Sequence, residues 1–357
     1  FMSSRISRYN MNWEGVIEEY GLLIEKRLEE VLNNAIKDAE NYHSFVGKVY
    51  AALKEFAFRR GKRIASCSTL LTYKGYTGVV DEKILAVCSG IEIYRQSILI
   101  HDDLIDMEEM RRGGKTIHKI FAEGFNNRLG EGVAVFLGNI ACSLAVKTIM
   151  DSGFSKNKIN DVIHLLSEGY KEVNESQILD LLFEYKDVDV NEWRVMASKR
   201  AASLFKVTMV TGGILGEAPR EDLELLRSAA VNMGYAFDIQ DDIIDTFASE
   251  EQYGRPPCRD IVLGKKPLHI IYTLESHNPE IRMLRNLKNT NRLNSEDIEE
   301  IRRIIKLTGG LDNAKKDLEK HTKEAKRLIS ETRMKDDVKD FFNHLIDYIE
   351  GSLEWYK

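Results

Sequence analysis

What the chain lacks narrows its class before any motif is read. All five prolines fall at or after Pro219, so the first 218 residues are free of the residue that breaks a helix interior at a cost of about 3 kcal/mol. Long helices are therefore permitted over most of the length. The four cysteines, Cys67, Cys88, Cys142 and Cys258, form no CxxC pair, which argues against a zinc site or a disulfide framework and predicts a reducing, cytoplasmic location. Lys and Arg (51) do not outnumber Asp and Glu (57), and a formal charge of −6 is the wrong sign for a nucleic-acid binder, which displaces counterions with a basic surplus. The N-terminal segment has no apolar signal core and no run of about eighteen uninterrupted apolar residues occurs, so no membrane span is expected. Phe1 ahead of Met2 reads as a tag remnant, and residues 1–12 as a remnant or a disordered N-terminus.

What is present supports a large core: 357 residues, 43% hydrophobic and 30% charged. Ile17, Tyr20, Leu23, Ile24, Leu28, Val31 and Leu32 follow a three-four rhythm, as do Val162, Leu165, Leu166, Tyr170 and Val173, and period-two alternation is scarce. The chain reads as all-α, a single large helical bundle over residues 1–357. Breaks are expected at 74–81, 111–116, 151–157 and 212–221, and the segment 253–267, with three of the five prolines, reads as a loop between helices. The charged C-terminal third reads as amphipathic helices with one solvated face.

The informative feature is a repeated acidic pattern. Asp102-Asp103-Leu-Ile-Asp106 and Asp241-Asp242-Ile-Ile-Asp245 share DD, two apolar residues, then D. Residues four apart share a helix face, with Cβ atoms about 6 Å apart, so the outer members of each triplet project together. Their flanks are strongly apolar, and carboxylates in such company are costly to bury unless a cation neutralises them. One copy could be a cap or a surface patch; two copies on two apolar helices point to a shared metal site. Hard oxygen ligands without a Cys or His cluster favour Mg²⁺, which fills its sphere with water and substrate phosphates. A phosphorylated ligand is the corollary. Cations stand near by in sequence to receive it: Arg111 and Arg112 at the expected end of the first helix, Lys265 and Lys266 on the proline-rich loop, Lys199 and Arg200 in an expected helix, and Arg59, Arg60, Lys62 and Arg63 around Gly61.

From about Gly21 to about Leu345 the chain resembles the trans-isoprenyl diphosphate synthases, the farnesyl and geranylgeranyl diphosphate synthase (polyprenyl synthetase) family. The matching motifs are HDDLIDMEEMRRGGKTIH at 101–118, SQILDL at 176–181, FDIQDDIID at 237–245 and GRPPCRDIVLGKKPL at 254–268. The resemblance implies a helical isoprenoid-synthase bundle around a central apolar cavity, forming a homodimer. Asp102 and Asp106 would hold two Mg²⁺ ions and Asp241 a third, with Asp103, Asp242 and Asp245 as outer or substitute ligands. Arg111, Lys199 and Lys265 would contact the diphosphate of an allylic substrate, and Lys62 and Arg112 would hold isopentenyl diphosphate. Gln177 and Asp180 would face the cavity, and Asp238 stands among the substrate-side positions. Ionisation of the allylic C–O bond and attack by the alkene need no nucleophilic side chain.

Several positions depart from the family pattern. Ala65 replaces an arginine expected to bind isopentenyl diphosphate, and Arg95, seven residues before Asp102, replaces a histidine; Arg95 would restore the missing cation with a forked, phosphate-matching group. Arg200 stands for a threonine, Asp238 for a glutamine and Asn139 for an aspartate, and the expected Lys-x-Thr reads Lys265-Lys266-Pro267. Product length should be set by Ser97, Ile98 and Tyr94 on the first acidic helix. Ser97 opens a level that an aromatic would close, and Tyr94, two turns or about 12 Å before Asp102, becomes the floor, giving a C20 product with C15 and C25 as neighbours. His101 and His118 read as structural, the tryptophans as packing anchors, and Phe121, Phe125 and Phe136 as core. Two rivals remain: a non-catalytic or altered-acceptor partner subunit of the same fold, and a class I terpene cyclase, against which the second DDxxD speaks.

Overall fold

The structure is a computed structural model that describes residues 2–59, 61–287 and 293–355, with the side chains of residues 13–59, 61–287 and 293–351. Arg60 and the Trp355 side chain lie outside the described residues. The helices are α1 (Met2–Tyr42), α2 (Ser44–Ala57), α3 (Ile64–Thr77), α4 (Glu82–Ile105), α5 (Ile117–Ala122), α6 (Asn127–Met150), α7 (Lys156–Leu182), α8 (Val190–Ala197) and α9 (Ala201–Leu215). They continue as α10 (Arg220–Phe247), α11 (Glu250–Tyr253), α12 (Arg259–Leu263), α13 (Leu268–Glu275), α14 (Arg282–Arg285), α15 (Ser295–Leu307), α16 (Gly310–Glu331) and α17 (Asp336–Trp355). The only strands among the described residues are β1 (Met110–Arg111) and β2 (Gly114–Lys115), a two-stranded antiparallel hairpin. The chain is all-α, as its proline map and apolar rhythm require.

Two compact units are present. One gathers the residues up to His164 with Val210–Ala218 and Met334–Val338; the other gathers Leu165–Met209, Pro219–Arg333 and the residues from Lys339 on.

In the first unit α4 is apolar on nearly every side from Ile84 to Ile100, and such a helix is buried on every side, here against α1, α3 and α6. Asp81 starts it by accepting the Ile84 N–H, and the same carboxylate accepts the Tyr73 hydroxyl. Gly138 of α6 lets the His101 ring lie against the backbone, where its Nε2 meets the Val135 carbonyl at 3.0 Å. Further along the same helix, Gly90 approaches Ala145 and Ile149 of α6. Helical spacing puts Tyr94 and Ser97, both fully buried, between these two contacts, on the side of α4 turned to α6. The α1 stripe is narrower than its rhythm suggested: Ile17, Ile24, Leu28 and Leu32 are buried, whereas Leu23 is exposed.

Two expectations about this unit change. Arg111 and Arg112 do not sit at a helix end but on the hairpin beyond it, where Arg112 and Gly113 both take positive φ (48° and 82°), the requirement of a two-residue turn matched to strand twist. Phe125 and Phe136 are 68% and 66% exposed rather than core. Phe136 lies two residues from both Ala134 and Gly138 and so on nearly the opposite side of α6. That helix is also long and apolar enough to cross a membrane by length and composition.

The second unit is organised on α10, packed against α12, α13 and α16. α16 buries Ala314, Leu318, Thr322, Ala325 and Ile329, one face of an otherwise charged helix. α15 starts with a capping box between Asn294 and Asp297 and contributes Ile301, Ile304 and Ile305 to an apolar cluster with Cys258, Ile261 and Ile270. Arg302 of α15 donates to the Thr246 and Ala248 carbonyls at 2.9 and 3.0 Å, satisfying the exposed end of α10. The segment 253–267, read as a loop, contains the short helix α12, opened by Cys258 at φ 63°. Lys199 and Arg200, expected in a helix, lie in the turn between α8 and α9.

Candidate active site

In the first unit the acidic motif closes α4. Asp103 is only 1% exposed and is held by Arg111, whose Nε reaches both carboxylate oxygens at 2.9 and 2.8 Å and whose Nη2 reaches one at 2.7 Å. Such forked pairing is the strong geometry for guanidinium and carboxylate. It fixes the hairpin to the helix end, with help from the Glu108 N–H on the Asp103 carbonyl. Asp102 keeps a side chain 32% exposed, 3.9 Å from Arg111, and Asp106 caps the helix half-buried. Asp102 is thus the more accessible of the two carboxylates one turn apart, since one oxygen of Asp106 is buried, and the third positions an arginine.

Cations crowd the hairpin. Arg112 packs over Gly61, where an added Cβ would lie 2.7 Å from its Nη1. Burial, then the neighbouring Arg95 and Arg111, push the Arg112 guanidinium down to about 10. Like charges held this close are relieved when an anion arrives, so the group of Arg95, Arg111 and Arg112 reads as an anion receptor. Lys62 lies 5.3 Å over the Trp13 ring and 3.9 Å from Glu14, and burial, only partly opposed by Glu14, lowers its pKa. Arg63 is engaged elsewhere: it is buried on Glu25, the Ala57 carbonyl and the buried Glu92. Arg59 donates to the Arg111 carbonyl and to Glu55. Both are structural.

In the second unit the acidic motif lies on α10, and only Asp241 is exposed. Asp245 is 1% exposed, paired with Arg255 at 3.0 Å and accepting the Asp260 N–H at 3.1 Å. Asp242 meets Arg200 Nη2 at 3.2 Å. Burial first, and then Asp260 in both cases with Arg200 or Arg255 opposing, push Asp242 and Asp245 well above the usual carboxylate range. Asp238 is pushed up to about 6 by burial against the pull of Arg200. Lys265 forms an ion pair with the buried Asp180, and Lys266 donates to the Phe183 and Gly264 carbonyls. Lys199 pairs with Glu175 at 3.2 Å, both partly exposed, and Gln177 lies half-buried two residues further along α7. Sequence reasoning missed Arg255 and the centrality of Arg200; the signal for the latter was the paired departure at positions 200 and 238.

Among the described residues no three His, Cys, Asp or Glu side chains converge to hold a metal by themselves. A hard cation needs only one or two carboxylates, its sphere being completed by phosphate and water; Asp102 and Asp106 in the first unit and Asp241 in the second are oxygen donors of that kind.

The fold and these two acidic helices define a prenyl-transfer architecture, and the comparisons agree. The polyprenyl synthetase family profile matches residues 47–306, so the chain belongs to that family and is a prenyltransferase. It is 29% identical over 287 residues, 80% of this chain and 84% of the relative, to a short chain isoprenyl diphosphate synthase of Methanocaldococcus jannaschii. It is 29% identical over 296 residues, 81% and 89% of the two chains, to a geranylfarnesyl diphosphate synthase of Aeropyrum pernix. Among solved structures it superposes with TM-score 0.87 and 21% identity on a geranylgeranyl pyrophosphate synthase from Corynebacterium glutamicum complexed with isoprenyl diphosphate and magnesium, covering 94% of this chain and 99% of that one.

Proposed function

We propose that the chain is a short-chain trans-prenyl diphosphate synthase that joins isopentenyl diphosphate to an allylic diphosphate. The observation that carries this reading is the first motif: Asp103 clamps Arg111, Asp102 stays a third exposed one turn from Asp106, and a crowd of guanidiniums stands beside them. Asp102, Asp106 and Asp241 would hold Mg²⁺, three ions per site, which when bound supplies the charge that draws electrons onto the leaving diphosphate. Arg111, Lys199 and Lys265 grip the outer oxygens of that diphosphate. Lys62, Arg112 and Arg95 hold isopentenyl diphosphate, with Arg95 making good the charge missing at Ala65; its pressure on Arg112 supports this. The allylic C–O bond breaks heterolytically, the alkene attacks the cation, and a proton leaves to the released diphosphate. Gln177 and Asp180 stand on the cavity side of α7.

Tyr94 is the floor of the tail channel and the product is C20; its full burial beside the small Ser97 supports the placement. Ile98, one turn before Asp102, lines the level between. The exposed face of α6, with Val135 and Phe136, is covered by a second copy, giving a homodimer, because a helix stripe of this kind can pack on itself about a twofold axis. Incubation with Mg²⁺, labelled isopentenyl diphosphate and dimethylallyl, geranyl or farnesyl diphosphate is the test. Elongated diphosphates are expected; cyclic hydrocarbons, or binding without turnover, would overturn the reading. Tyr94→Ala is expected to lengthen the products.

A further inference from the structure

Arg200 spreads one guanidinium over three carboxylates. Its Nε lies 3.1 Å from Asp238, its Nη2 donates to Asp242 at 3.2 Å and its Nη1 to Asp180 at 3.5 Å. These acid side chains are 8%, 14% and 9% exposed, and a buried carboxylate left without a partner is penalised strongly. The cation is also fixed in place. It sits in the turn between α8 and α9, and Asp238 accepts the Ala201 N–H at 3.3 Å, so the same carboxylate caps α9 and pairs with the residue before it. Gly234 permits this approach, since a Cβ there would lie 2.3 Å from Ala202 Cα. The departures at 200 and 238 are thus one reciprocal exchange, a new cation with a new anion. Asp241, on the same helix, is exposed, and its charge adds to the upward push on Asp238 and Asp242.

We propose that Arg200 is a positioning residue that acts as the resident counter-cation of the second acidic motif and holds Asp242 away from the metal. The proposal rests on the prenyl-transfer reading above. Without Arg200, a divalent ion becomes the cheapest replacement.

The test is Arg200→Gln, studied by thermal melting with and without Mg²⁺ alone and by Mn²⁺ electron paramagnetic resonance. The variant is expected to melt below wild type without metal and to regain much of that loss with millimolar Mg²⁺, while wild type shifts little. Mn²⁺ should bind at least about tenfold more tightly, as removing a like charge a few ångströms away implies at an effective dielectric near 20. Equal losses with and without Mg²⁺, or unchanged Mn²⁺ affinity, overturn the proposal. If Arg200→Gln does not fold, Arg200→Lys is measured instead. Its ammonium cannot span three carboxylates, so a severalfold gain in Mn²⁺ affinity is expected and none overturns. Transfer activity of wild type is assayed separately: an inactive wild type beside metal-dependent recovery in the variant removes the proposed function and leaves the role of Arg200 standing, and an active wild type without recovery does the reverse.

Discussion

On α4 the acidic motif ends its helix, and a single arginine eight residues further on clamps Asp103 while Asp102 stays a third exposed. On α10 the same pattern lies inside the helix, and Arg200, Arg255 and Lys265 reach in from three other segments. Identical spacing therefore leaves Asp102 partly exposed in one unit and yields a largely self-neutralised cluster in the other. The difference comes from distant residues, because local sequence sets only which carboxylates share a face. Metal affinity should accordingly reside mainly in the first motif, and structural stability in the second.

Asp102→Asn should give the largest effect, a loss in kcat/KM of about 10³-fold, the scale of removing a principal electrostatic support, with little change in melting temperature. A melting loss as large as the activity loss would break the contrast. Asp245→Asn should act the other way, costing about 2–3 kcal/mol in urea unfolding because it strips Arg255 of its buried partner; unaltered stability would count against it. A smaller effect belongs to His269, buried against Thr246 of α10 and held down to about 3 by burial. Its contribution is complete above pH 6.5 and is lost as pH falls toward 3, at about 1.4 kcal/mol per unit, since only the unfolded chain takes up the proton. His269→Asn should flatten that part of the stability profile relative to wild type, and parallel profiles would contradict it. Gly113→Ala should cost about 1 kcal/mol through its positive φ and loosen Arg111, raising KM for the allylic substrate more than it lowers kcat. A change in kcat alone would count against the clamp.

Much of this was readable in the chain itself. A proline-free first half and apolar rhythms in α1 and α7 announced helices, and the breaks at 74–81 and 151–157 fall between α3 and α4 and between α6 and α7. Other features were hidden because partners far away in sequence decide them. The turn at Lys199 and Arg200 carries neither glycine nor proline; Asp238, thirty-seven residues from Ala201, caps the helix that restarts there. Arg63 looked like an anion ligand until Glu92, itself buried in α4, claimed it. Phe136 belonged to an apolar helix whose buried face is set by the glycine and alanine positions, so hydrophobicity alone could not tell which side points inward. The hairpin after the first motif is signalled only by an Arg-Gly turn pair.

Arg302 adds a last consequence. By donating to the carbonyls of Thr246 and Ala248, it makes a helix fifty-six residues downstream the custodian of the end of α10. Losing that one side chain, as in Arg302→Ala, would remove no carboxylate from the second motif, yet it would leave the rod that carries those groups with a ragged, unsealed tip. Its loss would register as slack at the end of α10 while the seat of that helix on α16 stays in place.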